Sequence, residues 1–257
     1  MSYTEDYSEK IPDDASFKNE RELSKIHMGE DQVLRRQAIE LTISADKYKY
    51  GYQWEWCGVP IIRHPDDIVL QQEIVWKLRP QKIIETGVAR GGSLVLSSSL
   101  MSFYSDSTKV LGIDLKIFDH AQSSLSKWLE SGSIEIFESD STSTESAERV
   151  TQFLDGDSRP ILLVLDSNHS EEHVLNELRT FGPLIPSGSV IIVADTIVQE
   201  MPKDYYHDRP WGRDDNPLTA VNRFLAENHN FALHQEWCRR SLMGECRDGI
   251  LIKLIEL

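Results

Sequence analysis

The stretch VLDSNHS, residues 164–170, joins an aliphatic run to an acid and a histidine that lie three positions apart. A carboxylate is a ligand for divalent cations, and a histidine can accept a proton near neutral pH. At the end of a buried strand, Asp166 and His169 could therefore combine a cation ligand with a general base. A structural alternative stays open, because Asp166 could cap the next helix and His169 could be a surface residue near its start.

A glycine-rich stretch, ETGVARGGS at residues 85–93, follows an apolar run and precedes a predicted helix. Glycines allow a tight turn and a close backbone approach to a ligand, and the helix N-terminus would point at that ligand. The spacing differs from the G-x-G-x-x-G dinucleotide fingerprint, which disfavours a nicotinamide oxidoreductase. Asp114 ends the following strand, where an acid can bind a ribose diol, and Asp140-Ser141 follows the third strand, where an adenine edge could be met.

The elements that carry these residues alternate between strands and helices from residue 65 onward. This alternation predicts an α/β fold, a doubly wound and mostly parallel seven-stranded sheet of the Rossmann-like class. Ligands of such sheets bind beyond the carboxyl ends of the strands. Four strands end in or near an acid, so these acids should lie along one edge of the sheet: Asp114, Asp140, Asp166 and Asp195. The predicted strands are 82–85, 110–114, 134–137, 161–165, 189–194, 231–237 and 249–255.

The chain divides into three predicted parts: a flexible arm at 1–20, a helical and aromatic extension at 21–64, and the main domain at 65–257. Aromatic residues alternate from Tyr48 to Trp56, so they form either a strip that covers the sheet or a wall of a ligand site. Further candidate substrate contacts lie in a long loop, 197–215. The candidate substrate-binding residues are Tyr52, Trp54, Arg209, Trp211 and Arg213.

The composition restricts the partners. A formal net charge of −15 and a pI near 4.9 disfavour nucleic acid as a partner. Apolar runs are short and the N-terminal sequence is acidic, so we expect no membrane span, no secretory signal and a cytoplasmic location. The three cysteines have no C-x-x-C spacing, which disfavours a disulfide framework and a zinc cluster. The N-terminal helices and aromatic strip could supply an interface, so a homo-oligomer is expected.

Several motifs occur in an order that resembles the cephalosporin hydroxylase-like family, which includes rhamnosyl and macrolide-sugar O-methyltransferases. The resemblance covers roughly residues 50 to 200 and implies a class I methyltransferase that uses S-adenosylmethionine and Mg²⁺ on sugars or glycosylated natural products. The motifs are Tyr52-Gln53-Trp54, Pro65-Asp66, Leu78-Arg79-Pro80, residues 85–93, Gly112-Ile113-Asp114, Asp166-x-x-His169 and Val193-Ala194-Asp195.

The resemblance also implies roles for individual residues. Asp166 and Asp195 are the expected Mg²⁺ ligands and His169 the expected general base, whereas Ala194 stands where the family usually has a glutamate. The acceptor is then a small molecule or a glycan. The expected S-adenosylmethionine contacts are Glu85, Gly87, Gly91, Gly92, Ser93, Asp114, Asp140 and Ser141.

Two other functions remain possible from the residues. His64 and Asp66 have the H-x-D spacing of non-haem iron oxygenases, which would suit a hydroxylase. Because Ala194 removes one expected ligand, a non-catalytic homologue that still binds S-adenosylmethionine is the other alternative.

Overall fold

The computed structural model describes residues 13–255. The helices are α1 (Asp14–Glu30), α2 (Gln32–Asp46), α3 (Pro65–Leu78), α4 (Gly92–Ser102), α5 (Asp119–Ser131), α6 (Thr144–Leu154), α7 (Glu171–Phe181), α8 (Pro217–Glu227) and α9 (Gln235–Arg240). The strands are β1 (Trp54–Trp56), β2 (Val59–Ile61), β3 (Lys82–Thr86), β4 (Lys109–Asp114), β5 (Ile134–Glu138), β6 (Leu162–Leu165), β7 (Val190–Val193), β8 (Phe231–Leu233) and β9 (Ile250–Lys253). Short 3₁₀ segments occur at Tyr50–Tyr52 and Thr196–Glu200.

Seven of these strands form one sheet in the order β5-β4-β3-β6-β7-β9-β8. The pairs among β3 to β7 are parallel, and β9 is antiparallel to both β7 and β8. The strand order reverses at β3, because β4 lies on one side of it and β6 on the other. Sheets of this kind bind ligands at such a switch point. The predicted doubly wound, mostly parallel seven-stranded sheet is therefore confirmed.

Apolar residues cover both faces of this sheet, as the near-continuous aliphatic strands require. Successive residues point to opposite faces, so Ile83 packs into one core and Ile84 into the other. Leu162 and Leu163 divide in the same way on the neighbouring strand. The two cores hold the strands rigidly, which fixes the positions of the residues that follow their carboxyl ends.

Two sequence-based boundaries were wrong. The arm predicted for residues 1–20 overlaps α1, because Asp13 caps that helix by accepting hydrogen bonds from the Ala15 and Ser16 amides; residues 1–12 lie outside the described range. The strand predicted for 231–237 ends at Leu233, and α9 begins at Gln235. There His234 ends the extended backbone, and its carbonyl accepts hydrogen bonds from the amides of Trp237 and Cys238.

The aromatic segment forms a hairpin rather than a strip along the sheet. Strands β1 and β2 pair across a turn in which Cys57 and Gly58 both have positive φ, as tight hairpin turns require. The hairpin lies against the start of α4, where a Cβ on Gly92 would be 2.3 Å from the Pro60 carbonyl oxygen. It therefore closes one side of the glycine-rich turn. No helix within residues 13–255 is long and apolar enough to cross a membrane.

Candidate active site

A cleft of about 280 Å³ opens at the carboxyl ends of β3, β6 and β7. One part of its lining is the glycine-rich turn, and another part carries acids and a histidine. Part of the hairpin and the segment before it complete the rim. The lining residues are Tyr52, Pro60, Ile62, Gly87, Val88, Ala89, Arg90, Gly91, Gly92, Ser93, Asp166, Ser167, His169, Asp195 and Glu245.

The glycine-rich turn depends on two glycines. Gly87 has φ +92°, and a Cβ there would lie 2.0 Å from the Asp166 carbonyl oxygen. Gly91 has φ +90°, and its Cβ would meet the Leu125 side chain at 2.9 Å. The carboxylate of Asp114 holds the turn, because its Oδ2 accepts hydrogen bonds from the amides of Val88 at 2.7 Å and Ala89 at 3.2 Å. The turn is thus a rigid backbone surface that faces the cleft.

Glu85 lies at the end of β3 and is only 1% exposed. Within the described residues neither of its carboxylate oxygens has a hydrogen-bond partner, although Arg63 Nη2 is 3.5 Å from Oε1. Burial raises the pKa of Glu85 to about 7, against the opposing effect of Arg63. Glu85 is not among the described residues that line the cleft, but it directly precedes the part of the turn that does. A buried acid without a donor is costly, so a ligand that reached this position would be favoured by a positively charged or hydrogen-bond donating group.

Asp166, His169 and Asp195 converge in the acidic part of the lining. One ligand atom from each lies within 4.8 Å of the others, a spacing that could accommodate a metal ion. His169 Nδ1 is 3.3 Å from Asp195 Oδ2. Asp195 has a left-handed backbone with φ +55°, a conformation that non-glycine residues adopt rarely and that often marks functional sites. Asp195 therefore lies beside the Asp166-x-x-His169 pair, as expected for acids that follow neighbouring strands of one sheet.

A buried arginine that the sequence analysis missed connects the glycine-rich stretch to the acids. Arg63 Nη2 lies 3.2 Å from Asp166 Oδ2 as well as 3.5 Å from Glu85, and its Nη1 donates to Gln71 Oε1. Burial and the charge of Asp195 raise the pKa of Asp166 to about 6, while Arg63 and His169 oppose the rise. Only its position directly before the His64-Pro65-Asp66 motif could have drawn attention to Arg63 in the sequence.

Glu245 is the second residue that the sequence analysis missed. It lies in the segment between α9 and β9, and the antiparallel course of β9 brings this segment to the end of β7. Burial raises the pKa of Glu245 well above its ordinary value, and the charges of Asp195, Asp67 and Asp166 add to the rise. No sequence spacing links Glu245 to the other acids.

The remaining candidates are distributed around the cleft. Trp211 makes an edge contact with His169, with ring centroids 5.0 Å apart and an angle of 70°, and the Arg209 guanidinium is 5.5 Å from the Trp211 ring. Of the five candidate substrate-binding residues, Tyr52 lines the cleft, and the lining formed by the described residues does not include Trp54, Arg209, Trp211 or Arg213. Trp54 instead packs its ring edge against Tyr50.

The two residues expected at the adenine edge also lie outside that lining. The carboxylate of Asp140 accepts hydrogen bonds from the Thr142 amide and hydroxyl, which lower its pKa. Ser141 Oγ lies 3.0 Å from His173 Nε2, and the same ring nitrogen is 3.1 Å from Ser167 Oγ. This contact places Ser141 one side chain away from a cleft residue.

The candidate iron ligands serve the fold. His64 Nδ1 lies 2.7 Å from the Met243 carbonyl oxygen, and Asp66 Oδ2 accepts a hydrogen bond of 2.7 Å from the Met243 amide. Both side chains therefore fasten the start of α3 to the segment before β9. This use gives the iron-oxygenase hypothesis no support from its own residues.

Comparison with known proteins agrees with this geometry. The chain is 28% identical over 204 residues to a rhamnosyl O-methyltransferase of Mycobacterium leprae, covering 70% of this chain and 87% of that one. A rhamnosyl O-methyltransferase of Mycobacterium tuberculosis is 27% identical over 223 residues, covering 77% and 89%.

Solved structures show the same fold. An apo structure of CmcI superposes with a TM-score of 0.57 at 18% identity, covering 80% of this chain and 78% of that one. A CmcI structure described as Mg-SAM gives 0.54 at 19% identity, covering 79% and 78%. The family model described as rhamnosyl O-methyltransferase/CmcI matches residues 48–254. The predicted resemblance and its activity class, an S-adenosylmethionine-dependent O-methyltransferase, are therefore confirmed, and the chain belongs to the rhamnosyl O-methyltransferase/CmcI family.

Proposed function

We propose that the protein transfers the methyl group of S-adenosylmethionine to a hydroxyl of a sugar or of a glycosylated natural product, with Mg²⁺ and His169 assisting. The observation that carries the proposal is a single cleft lined by two chemically different groups of residues. A glycine-rich turn that a cofactor can approach closely faces a cluster of Asp166, His169 and Asp195. Methyl transfer needs this juxtaposition, because the acceptor oxygen must meet the methyl carbon in line.

The glycine-rich part of the lining fits S-adenosylmethionine. The cofactor supplies an electrophilic methyl group, and its amino-acid portion carries an ammonium that suits the buried carboxylate of Glu85, which has Arg63 at 3.5 Å but accepts no conventional hydrogen bond from the described residues. Gly87, Gly91, Gly92 and Ser93 give the backbone approach at the start of α4. Asp114 would hold the ribose side and Asp140-Ser141 the adenine side. The binding of Mg and SAM by CmcI, with the same fold, supports this choice.

The acidic part of the lining fits a divalent cation that prefers oxygen ligands. Asp166 and Asp195 would bind Mg²⁺, which would fix the acceptor hydroxyls and lower the pKa of the one to be methylated. Arg63 keeps the Asp166 carboxylate in place through its contact at 3.2 Å. This arrangement would orient the acceptor before its proton leaves.

His169 would remove that proton. Its Nδ1 faces Asp195 at 3.3 Å, so the other ring nitrogen, Nε2, is left to accept a proton from the acceptor. A nearby base of this kind accelerates proton transfer by ~10²–10⁴-fold. Asp195 would hold the imidazole in the required tautomer and stabilise the charge that it gains.

The acceptor would lie between His169 and the loop that carries Trp211. Aromatic rings bind the apolar faces of sugars, and Trp211 already contacts His169. Tyr52 and Trp54 would contact the acceptor from the hairpin side. Arg209 and Arg213, in the same loop as Trp211, would bind an anionic group of the acceptor. The two mycobacterial relatives, both rhamnosyl O-methyltransferases, support a deoxysugar.

The first experiment is calorimetric titration of the protein with S-adenosylmethionine, with and without Mg²⁺. Binding in both conditions, followed by Mg²⁺-dependent methylation of a deoxysugar glycoside, is the expected result. Absence of binding in either condition would overturn the proposal. Because Ala194 leaves one acidic ligand out, the non-catalytic alternative predicts cofactor binding without methylation of any member of a broad glycoside panel.

A further inference from the structure

The cation site proposed above has few oxygen donors. Asp166 and Asp195 each offer a carboxylate, whereas His169 offers a nitrogen, which Mg²⁺ rarely prefers. Ala194, directly before Asp195, is buried and has no donor side chain. Any additional protein oxygen must therefore come from a different element.

Glu245 is an acid in the lining of the same cleft as Asp166 and Asp195. Its side chain is 24% exposed, and within the described residues no group donates a conventional hydrogen bond to its carboxylate. The nearby group that can carry a positive charge is the His64 imidazole, whose Nε2 is 3.4 Å from Glu245 Oε1. A carboxylate that faces a cleft beside Asp166 and Asp195 is repelled by both, and a cation between the three would relieve that repulsion.

The backbone of Glu245 is fixed from two directions. Its amide donates a 2.7 Å hydrogen bond to Asp67 Oδ2 on α3. Its carbonyl accepts hydrogen bonds from the Ile197 amide at 3.1 Å and the Thr196 hydroxyl at 3.2 Å, both just after Asp195. The carboxylate lies outside the Asp166, His169 and Asp195 cluster in this structure, so its side chain must move to join them, whereas its backbone is held in place.

We propose that Glu245 is a ligand of the divalent cation, bound together with Asp166 and Asp195, and supplies the oxygen donor that Ala194 lacks. The inference rests on the proposed function, because it concerns the same cleft and the same cation. Release of the weak contact with His64 would free the carboxylate for the cation. The acid thus comes from the segment before β9 instead of the end of β7.

The first test measures affinity with Mn²⁺, which shares the preference of Mg²⁺ for oxygen ligands. The full chain and its Glu245→Gln variant are titrated with Mn²⁺ and followed by electron paramagnetic resonance. We expect the affinity to fall at least about tenfold, since even residues that only support a ligand have effects of this size. Glu172→Gln, which removes an equal charge from the exposed first turn of α7, should leave the affinity unchanged.

The second test separates ligation from a merely electrostatic effect. Isotopically labelled water broadens the Mn²⁺ resonance in proportion to the number of bound water molecules. In Glu245→Ala a water should replace the lost carboxylate, so that number should rise by about one relative to the wild type. A lower affinity with an unchanged number of bound waters would overturn the inference.

The remaining outcomes distinguish the inference from the function on which it rests. If Asp195→Asn weakens Mn²⁺ binding and Glu245→Gln does not, Glu245 is no ligand and the methyltransferase proposal stands. If the wild type binds S-adenosylmethionine but no Mn²⁺, both the cation site and the inference fall. If it binds neither, the proposed function also fails.

Discussion

His169 Nδ1 lies 3.3 Å from Asp195 Oδ2. The histidine that follows β6 is thus oriented by the acid that follows β7. Asp166 and Asp195 follow neighbouring parallel strands, β6 and β7, whose register places Leu165 beside Val193. The base and the proposed cation ligands are thus positioned by the sheet.

The first prediction concerns the proposed base. His169→Ala should leave S-adenosylmethionine binding intact, because the glycine-rich turn is unchanged, and should lower turnover at least ~10-fold. Calorimetry and a methyl-transfer assay measure the two effects. Unchanged turnover would remove His169 from the mechanism, whereas lost cofactor binding would show that the substitution damages the cleft.

The second prediction concerns the buried arginine. Arg63→Met leaves the buried carboxyl group of Glu85 and the half-buried carboxylate of Asp166 without their cation, so we expect the free energy of unfolding to fall by about 3–5 kcal/mol. Urea denaturation measures this loss. Arg36→Met, at an exposed position on α2, should change the stability by less than about 0.5 kcal/mol.

A double variant tests the cause of that loss. Adding Glu85→Gln to Arg63→Met removes one of the uncompensated charges, so part of the lost stability should return. If the two substitutions are strictly additive, Arg63 stabilises the fold by packing and not by its charge.

The third prediction concerns the glycine-rich turn. Gly87→Ala should weaken S-adenosylmethionine binding at least about tenfold, because the added Cβ would meet the Asp166 carbonyl oxygen at 2.0 Å and displace the turn. Gly156→Ala is the matched control, since it has φ +68° but no atom within 4 Å. The control should lose about 1 kcal/mol of stability and bind the cofactor normally. Equal cofactor affinity in the two variants would contradict the role of the close approach.

The fourth prediction concerns pH. The folded chain raises the pKa of Glu85 from 4.5 to about 7, so the folded state binds this proton more tightly than the unfolded state. The resulting stability is fully present below the unfolded pKa and is lost as the pH rises through the folded pKa. Without cofactor, the stability of Glu85→Gln relative to the wild type should therefore rise between about pH 4.5 and about pH 7, by about 1.4 kcal/mol per pH unit, and level off above that range.

Urea denaturation of both proteins across this range provides the measurement. The acids Asp67, Asp166 and Glu245 also have raised pKa values, so a pH slope should persist in the variant. Only the difference between the two proteins reports on Glu85. A difference that does not change with pH would show that Glu85 titrates normally.

The sheet and much of its rim could be predicted from the sequence alone. Aliphatic runs such as residues 162–165 can be satisfied only by burial on both faces, and the acid that follows each run then reaches the common edge. Asp166 and His169 were identifiable because three residues separate them along one chain segment. Local chemistry also set the starts of α3 and α8, where Pro65 and Asn216-Pro217 favour a first helical turn.

Which distant side chains share the cleft follows from the three-dimensional arrangement of the strands and segments. Arg63 joins Glu85 to Asp166 across elements that are far apart in sequence, and no local pattern encodes that contact. Glu245 shares the cleft with Asp195 because β9 inserts antiparallel beside β7, which reverses the chain and brings the preceding segment to the rim. Strand periodicity depends on neighbouring residues and can be read from the sequence, whereas the meeting of buried charges depends on how the strands are ordered in space.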